Sequence, residues 1–179
     1  APDPGYPTLS GARDGARHAS GSGLKLGLTR DAEANGQPNS TATGDDNSGI
    51  DDEDGVQLPT SFVAGQTAQI QVTVNAPAYL NAWIDYNADQ DWNDAGEQVL
   101  DDVALLAAGT HTQTINVPAN ITAGGNAFAR FRVSTASGLS VTGQAADGEV
   151  EDYKVQLGSV TCPDSDNDGT CNNVDGCPS

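Results

Sequence analysis

Basic residues are scarce. Seven Lys and Arg stand against 25 Asp and Glu in 179 residues, giving a formal net charge of -18. A surface this acidic repels phosphate backbones and anionic headgroups, and no Lys/Arg cluster opposes the repulsion, so nucleic-acid binding is excluded. Nor is there an apolar run near the roughly 18 to 20 residues that span a bilayer, which argues against membrane insertion. Aromatics make up 5% and apolar residues 36%, so any core is small and built from Val, Ile, Ala and Leu. Three cysteines without Cys-x-x-Cys pairing, and two isolated histidines, His18 and His111, make a poor zinc set. Neither histidine lies in a serine-nucleophile context, and no carboxylate pair stands out as acid and base, so the chain is read as a non-enzyme.

What is present is alternation. Thr67 to Val74 places Ala68, Ile70, Val72 and Val74 on one side, and Tyr79 to Tyr86, Thr110 to Val117, Phe128 to Val133 and Val150 to Leu157 repeat the pattern. These are half-buried or buried strands. Only Glu97 to Ala108 has a composition compatible with a short helix, interrupted by Asp101 and Asp102. Residues 1 to 49, rich in Gly, Ser, Thr, Asn and Pro, read as irregular structure. The expected fold is an all-β antiparallel sandwich of Greek-key, jelly-roll-like type over 1–157, followed by a core-poor segment at 158–179.

The acids are clustered: 19 of the 25 fall in four short windows. Two carboxylates about 4 Å apart repel by roughly 4 kcal/mol at an effective dielectric of 20, so ordered clusters need a counter-charge that seven dispersed bases do not supply. Calcium, which takes six to eight oxygen ligands, is the expected counter-ion. In the loop after the second strand, Asp85, Asn87, Asp89 and Asp91 alternate as at positions 1, 3, 5 and 7 of a calcium loop, with Asp94 and Glu97 following. Gln90 replaces the turn glycine and Glu97 falls at position 13, so this is not an EF-hand. A second set joins Asp46, Asp51, Asp52, Glu53 and Asp54 to Glu149 and Glu151, which share one strand face. A third runs through Asp164, Asp166, Asp168 and Asp175, with Gly169 at the turn position and Cys162, Cys171 and Cys177 flanking it. Those cysteines suggest a disulfide, with one thiol over, and hence an oxidising compartment. Trp83, Trp92, Tyr79 and Tyr86 read first as core and loop anchors, with Trp92 over the acidic loop, and second as a sugar-stacking platform. Arg130 and Arg132 share a face and are expected to pair with acids such as Glu149 or Glu151.

Ordered motifs carry a resemblance. Asp3-Pro-Gly-Tyr-Pro-Thr-Leu, Gly15-Ala-Arg-His18, Asp31-Ala-Glu33, Gly49-Ile-Asp-Asp-Glu-Asp-Gly-Val56, Asn81-Ala-Trp-Ile-Asp-Tyr-Asn87 and Asp147-Gly-Glu-Val-Glu-Asp-Tyr153 together resemble the GEVED domain, whose motif stands at Gly148 to Asp152. The resemblance implies a β-sandwich module without established catalysis, of the kind found in secreted or surface-anchored bacterial proteins beside adhesin-like and calcium-binding repeats. The tail is similar to a thrombospondin type 3 repeat, which implies a segment held by calcium and disulfides. The opening Ala1-Pro2-Asp3 reads as that of an exported chain after signal cleavage. The expected role is thus a calcium-binding extracellular or cell-surface module, structural or adhesive, whose partners are calcium and either further copies in a fibre or tandem array or surface glycans. The alternative is a carbohydrate-binding accessory module of a secreted enzyme.

Overall fold

The computed structural model describes residues 1–2, 5–11, 13–19, 23–30, 35–42 and 53–159. Ten strands follow in chain order: β1 (Arg17–His18), β2 (Val56–Gln57), β3 (Phe62–Val63), β4 (Thr67–Val74), β5 (Ala78–Ile84), β6 (Gln98–Leu105), β7 (Gly109–Asn116), β8 (Asn126–Ser134), β9 (Gln144–Ala145) and β10 (Glu149–Gly158). No helix occurs among the described residues. A five-stranded sheet runs β3-β10-β8-β5-β6 and a three-stranded sheet β2-β4-β7. Pairing is antiparallel except at two short edges, β10 with β3 and β1 with β9.

The alternation explains the core. Ile70, Val72 and Val74 of β4 meet Leu80 and Ile84 of β5, Phe131 and Val133 of β8 and Val155 of β10 between the sheets. Each large aliphatic side chain so buried contributes about 1.5–3 kcal/mol. The all-β sandwich expected from the sequence is the fold observed. The other side of the five-stranded sheet is covered too. Tyr6, Ala42, Trp83, Trp92 and Phe128 form a second cluster there, so β5 and β8 are buried on both faces. Ala1, Tyr6 and Ala42 from the irregular N-terminal part, together with Trp92 of the acidic loop, supply that cover and form a third layer.

The span from Glu97 to Ala108 departs from the helix its composition allows. β6 pairs with β5 as an edge strand, and its register shifts across Asn81 and Ala82. The two acids that interrupt the apolar period sit at that irregularity. Asn81 donates to Asp102 Oδ1 at 3.0 Å, its Oδ1 accepts the Asp102 N–H at 3.0 Å, and Asp102 takes a φ of 47°. Hydrogen bonds from Asn81 and the Gly138 N–H hold the Asp102 carboxyl below the usual carboxylate range. Sheet pairing available at the edge of β5 outweighs the weak helical preference of the segment.

His18 is fixed by two bonds that set its charge state. Arg132 Nε donates to His18 Nε2 at 3.1 Å, so the proton lies on Nδ1, 2.5 Å from the Asp147 carbonyl. Burial, then the neighbouring Arg132 charge, pull its pKa down to about 4. A group depressed in the folded state gives stability that is present above its unfolded value near 6.5 and lost as pH falls towards 4. For His18 this amounts to at most about 3 kcal/mol. The difference in stability between wild type and His18→Gln, measured by urea denaturation from pH 7 to 4, is therefore expected to shrink with acid. A constant difference would show that His18 protonates freely in the fold.

Candidate metal centre

The acidic loop leaves β5 at a buried position. Asp85 is fully buried, and its carboxylate accepts the Tyr6 hydroxyl at 2.5 Å, the Ala88 N–H at 2.6 Å and the Gln90 N–H at 3.1 Å. The chain then turns repeatedly on its own side chains. Asn87 Oδ1 accepts the Asp89 N–H, Asp89 Oδ1 the Asp91 N–H and Asp91 Oδ1 the Asn93 N–H, at 2.8–3.2 Å. Such Asx turns tolerate left-handed backbone nearby. Ala88 and Gln90 take φ values of 59° and 78°. Glu97 returns the chain to the sheet: Ile84 donates to its carbonyl at 2.8 Å, and its own carboxylate accepts the Tyr86 and Asp94 N–H groups at 3.2 Å.

These turns gather three carboxylates. Asp85, Asp89 and Glu97 each bring one oxygen to within 4.8 Å of the other two, Asp85 and Glu97 being buried and Asp89 exposed. Among the described residues, no Lys or Arg forms an ion pair with any of the three. Burial, with the Asp85 and Asp89 charges adding to it, raises the Glu97 carboxyl to about 7. Burial and the bond to Asp85 likewise push the Tyr6 hydroxyl far above its usual range. The other three residues of the alternating set serve the loop itself. Asn87 donates to Asp94 at 2.5 Å and to Asp89 at 3.1 Å, while Asp91 caps Asn93. An all-oxygen, multiply anionic donor set suits a hard divalent cation, not zinc.

The acids of the motif strand go elsewhere. Glu149 and Glu151 point inward on the same side of β10. Glu149 Oε2 accepts the Leu26 N–H at 2.6 Å, and Glu151 Oε1 accepts the Gly55 N–H at 3.1 Å. Tyr153 bridges Glu151 to β2, accepting the Val56 N–H at 3.0 Å and donating to Glu151 Oε2 at 2.9 Å. Burial, the Glu149 charge and the Glu53 charge raise the Glu151 carboxyl well above its usual value. Asp54 holds the Leu28 and Thr29 N–H groups and the Thr29 hydroxyl. The two glutamates thus clasp the edge of the five-stranded sheet to segments beside the three-stranded one. Asp46, Asp51, Asp52, Asp164, Asp166, Asp168, Asp175 and the three cysteines lie outside the described residues.

Gly148 opens this strand with a φ of 91°, where a Cβ would run into the Val133 carbonyl. Residues 79–156 match the family model of the GEVED domain. The match is narrower than the span over which the motifs resemble the family, and it contains the acidic loop, the two glutamates of the clasp and most of four of the five strands of the larger sheet. No curated protein matches the chain. Within the GEVED-matching span, Arg130 and Arg132 do not pair with Glu149 or Glu151, contrary to the expectation from sequence. They lie on the opposite side of the sheet, Arg130 on Asp152 and Arg132 on the Ser140, Thr142 and Gly143 carbonyls. Trp83 and Trp92 are buried and present no face to solvent, whereas Tyr79 is 37% exposed. Trp92 lies against Tyr6, with ring centroids 4.5 Å apart, and so anchors the loop. The role of Tyr6 was not legible in the sequence, where it stands only within a family-like motif, because its link to Asp85 spans 79 positions.

Proposed function

We propose that this protein is a calcium-stabilised structural module of an extracellular or cell-surface protein, with no catalytic activity of its own. One observation carries the reading. Asp85, Asp89 and Glu97 converge within 4.8 Å without a Lys or Arg partner among the described residues, and the fold holds two of them buried. A divalent cation on these oxygens would remove the mutual repulsion and the desolvation cost that lifts Glu97, tying the start of the loop to its end. The acidic tail, with its thrombospondin type 3-like spacing and cysteines, belongs to the same reading as a further ion-held segment. Export, a disulfide there and an adhesive or scaffolding role, with other copies or surface glycans as partners, complete it.

Linkage gives the size of the effect. At 2 mM calcium a site of Kd about 0.1–1 mM adds roughly 0.6–1.8 kcal/mol, or about 2–7 °C in a chain of this length. Thermal unfolding is expected to show such a rise over chelated protein, with equimolar magnesium giving much less. Asp89→Asn combined with Glu97→Gln should lose most of the increment. A midpoint indifferent to calcium would sink the reading.

A further inference from the structure

The 27 residues from Val103 to Ala129 contain no Asp, Glu, Lys or Arg, in a chain of net charge -18. They include β7, the outermost strand of the three-stranded sheet. Its pairing with β4 is regular over eight residues, from Thr67 opposite Asn116 to Val74 opposite Gly109. Val117 donates to Gln66 O at 2.9 Å, which places Ile115, Gln113 and His111 in the pairs bonded to β4. The N–H and C=O groups of Thr110, Thr112, Thr114 and Asn116 therefore face away from the sheet, and among the described residues no strand pairs with them.

The molecule's other long edge shows the contrast. β6 is interrupted by its register shift, carries Asp101 and Asp102, and turns through the left-handed Asp102. Bulges and charges are how an edge strand is kept from pairing with another chain. β7 has neither, and it has no proline.

We propose that β7 is a self-association edge, pairing antiparallel with β7 of a second copy. The partner is a second copy because repulsion between two such acidic chains leaves the uncharged side as the place where their backbones can approach, and because the strand is complementary to itself. A two-fold axis at Gln113 sets Thr112 against Thr114 of the other copy and Thr110 against Asn116, all of them exposed, the first a favourable cross-strand pairing. The same arrangement brings Leu106, 83% exposed in the turn before β7, towards the Pro118–Ala119 end of the other strand. The result is one continuous six-stranded sheet. This inference stands apart from the ion site.

Sedimentation velocity of the full chain, at rising concentration in 150 mM salt, tests it in calcium and in chelator. Wild type is expected to associate in both. Thr112→Pro removes an N–H that faces outward and so spares the ladder to β4. It should weaken association at least tenfold with little change in thermal midpoint, and Thr112→Lys should do the same if the proline variant unfolds. A wild type that stays monomeric, or variants that associate as it does, would overturn the proposal. Association that chelation abolishes and Thr112→Lys leaves intact would also overturn it, pointing to ion bridging between acidic surfaces while leaving the calcium reading unharmed.

Discussion

Arg130→Met is expected to destabilise the protein by about 3–5 kcal/mol, the scale of removing one partner from a buried ion pair. Arg130 is 2% exposed and donates from Nε and Nη2 to the two oxygens of Asp152, at 2.7 and 2.8 Å. Nη1 reaches the Pro7 carbonyl at 2.9 Å and the Val141 carbonyl at 3.0 Å, and the guanidinium lies 4.5 Å from the centre of the Trp92 ring. One side chain on β8 therefore reaches β10, the acidic loop, the segment after β8 and, through Pro7, the irregular layer. Burial alone would raise the Asp152 carboxyl, yet Arg130 brings it far below the usual range. Without Arg130 only the Ala1 ammonium, 3.1 Å from Asp152 Oδ2, is left to offset that burial penalty. Urea denaturation measures the loss, and Arg130→Met combined with Asp152→Asn should recover part of it, since no unpaired carboxylate then remains. A single-variant loss below about 1 kcal/mol would mean that water replaces the guanidinium.

Gly148→Ala is expected to lower stability by about 3 kcal/mol or more. Two causes act together: a φ of 91° that side chains rarely adopt, and a Cβ driven into the Val133 carbonyl and to 3.1 Å from His18 Nδ1. Gly138 separates them. Its φ is 85°, and an added Cβ there meets nothing within 4 Å. Gly138→Ala should therefore cost only the backbone part, on the order of 1 kcal/mol. Equal losses in the two variants, by denaturant midpoint, would show that β8 yields and that the first residue of the motif is chosen for its backbone alone.

The strands were legible because alternation is local. β4, β5, β8 and β10 stand where Thr67–Val74, Tyr79–Tyr86, Phe128–Val133 and Val150–Leu157 placed them. β6 was hidden because Asp101 and Asp102 break its alternation at an irregularity that only pairing with Asn81 explains. The loop from Asp85 to Glu97 was visible as alternating oxygens, but alternation does not say which oxygens face inward. Asx turns use Asn87, Asp89 and Asp91 on their own backbone, and Asn87 bonds Asp94, yet Asp89 still brings an oxygen to Asp85 and Glu97. The shared face of Glu149 and Glu151 was readable, while their use on the Leu26 and Gly55 amides depends on segments more than 90 positions away. The double burial of β5 and β8 was partly visible as strands apolar on both sides. Much of what covers them came from a stretch with almost no periodic pattern.

That third layer bears on what a shorter piece of the chain would lack. The span that matches the family model begins at Tyr79, after β2, β3 and β4 and after Tyr6, Leu24, Leu26 and Phe62. Cut out alone, it would leave β7 without its neighbour, Asp85 without the Tyr6 hydroxyl, Glu149 and Glu151 without the amides they hold, and Arg130 without the Pro7 carbonyl. A piece cut at Tyr79 would therefore keep this sheet only beside other segments that supply both covers.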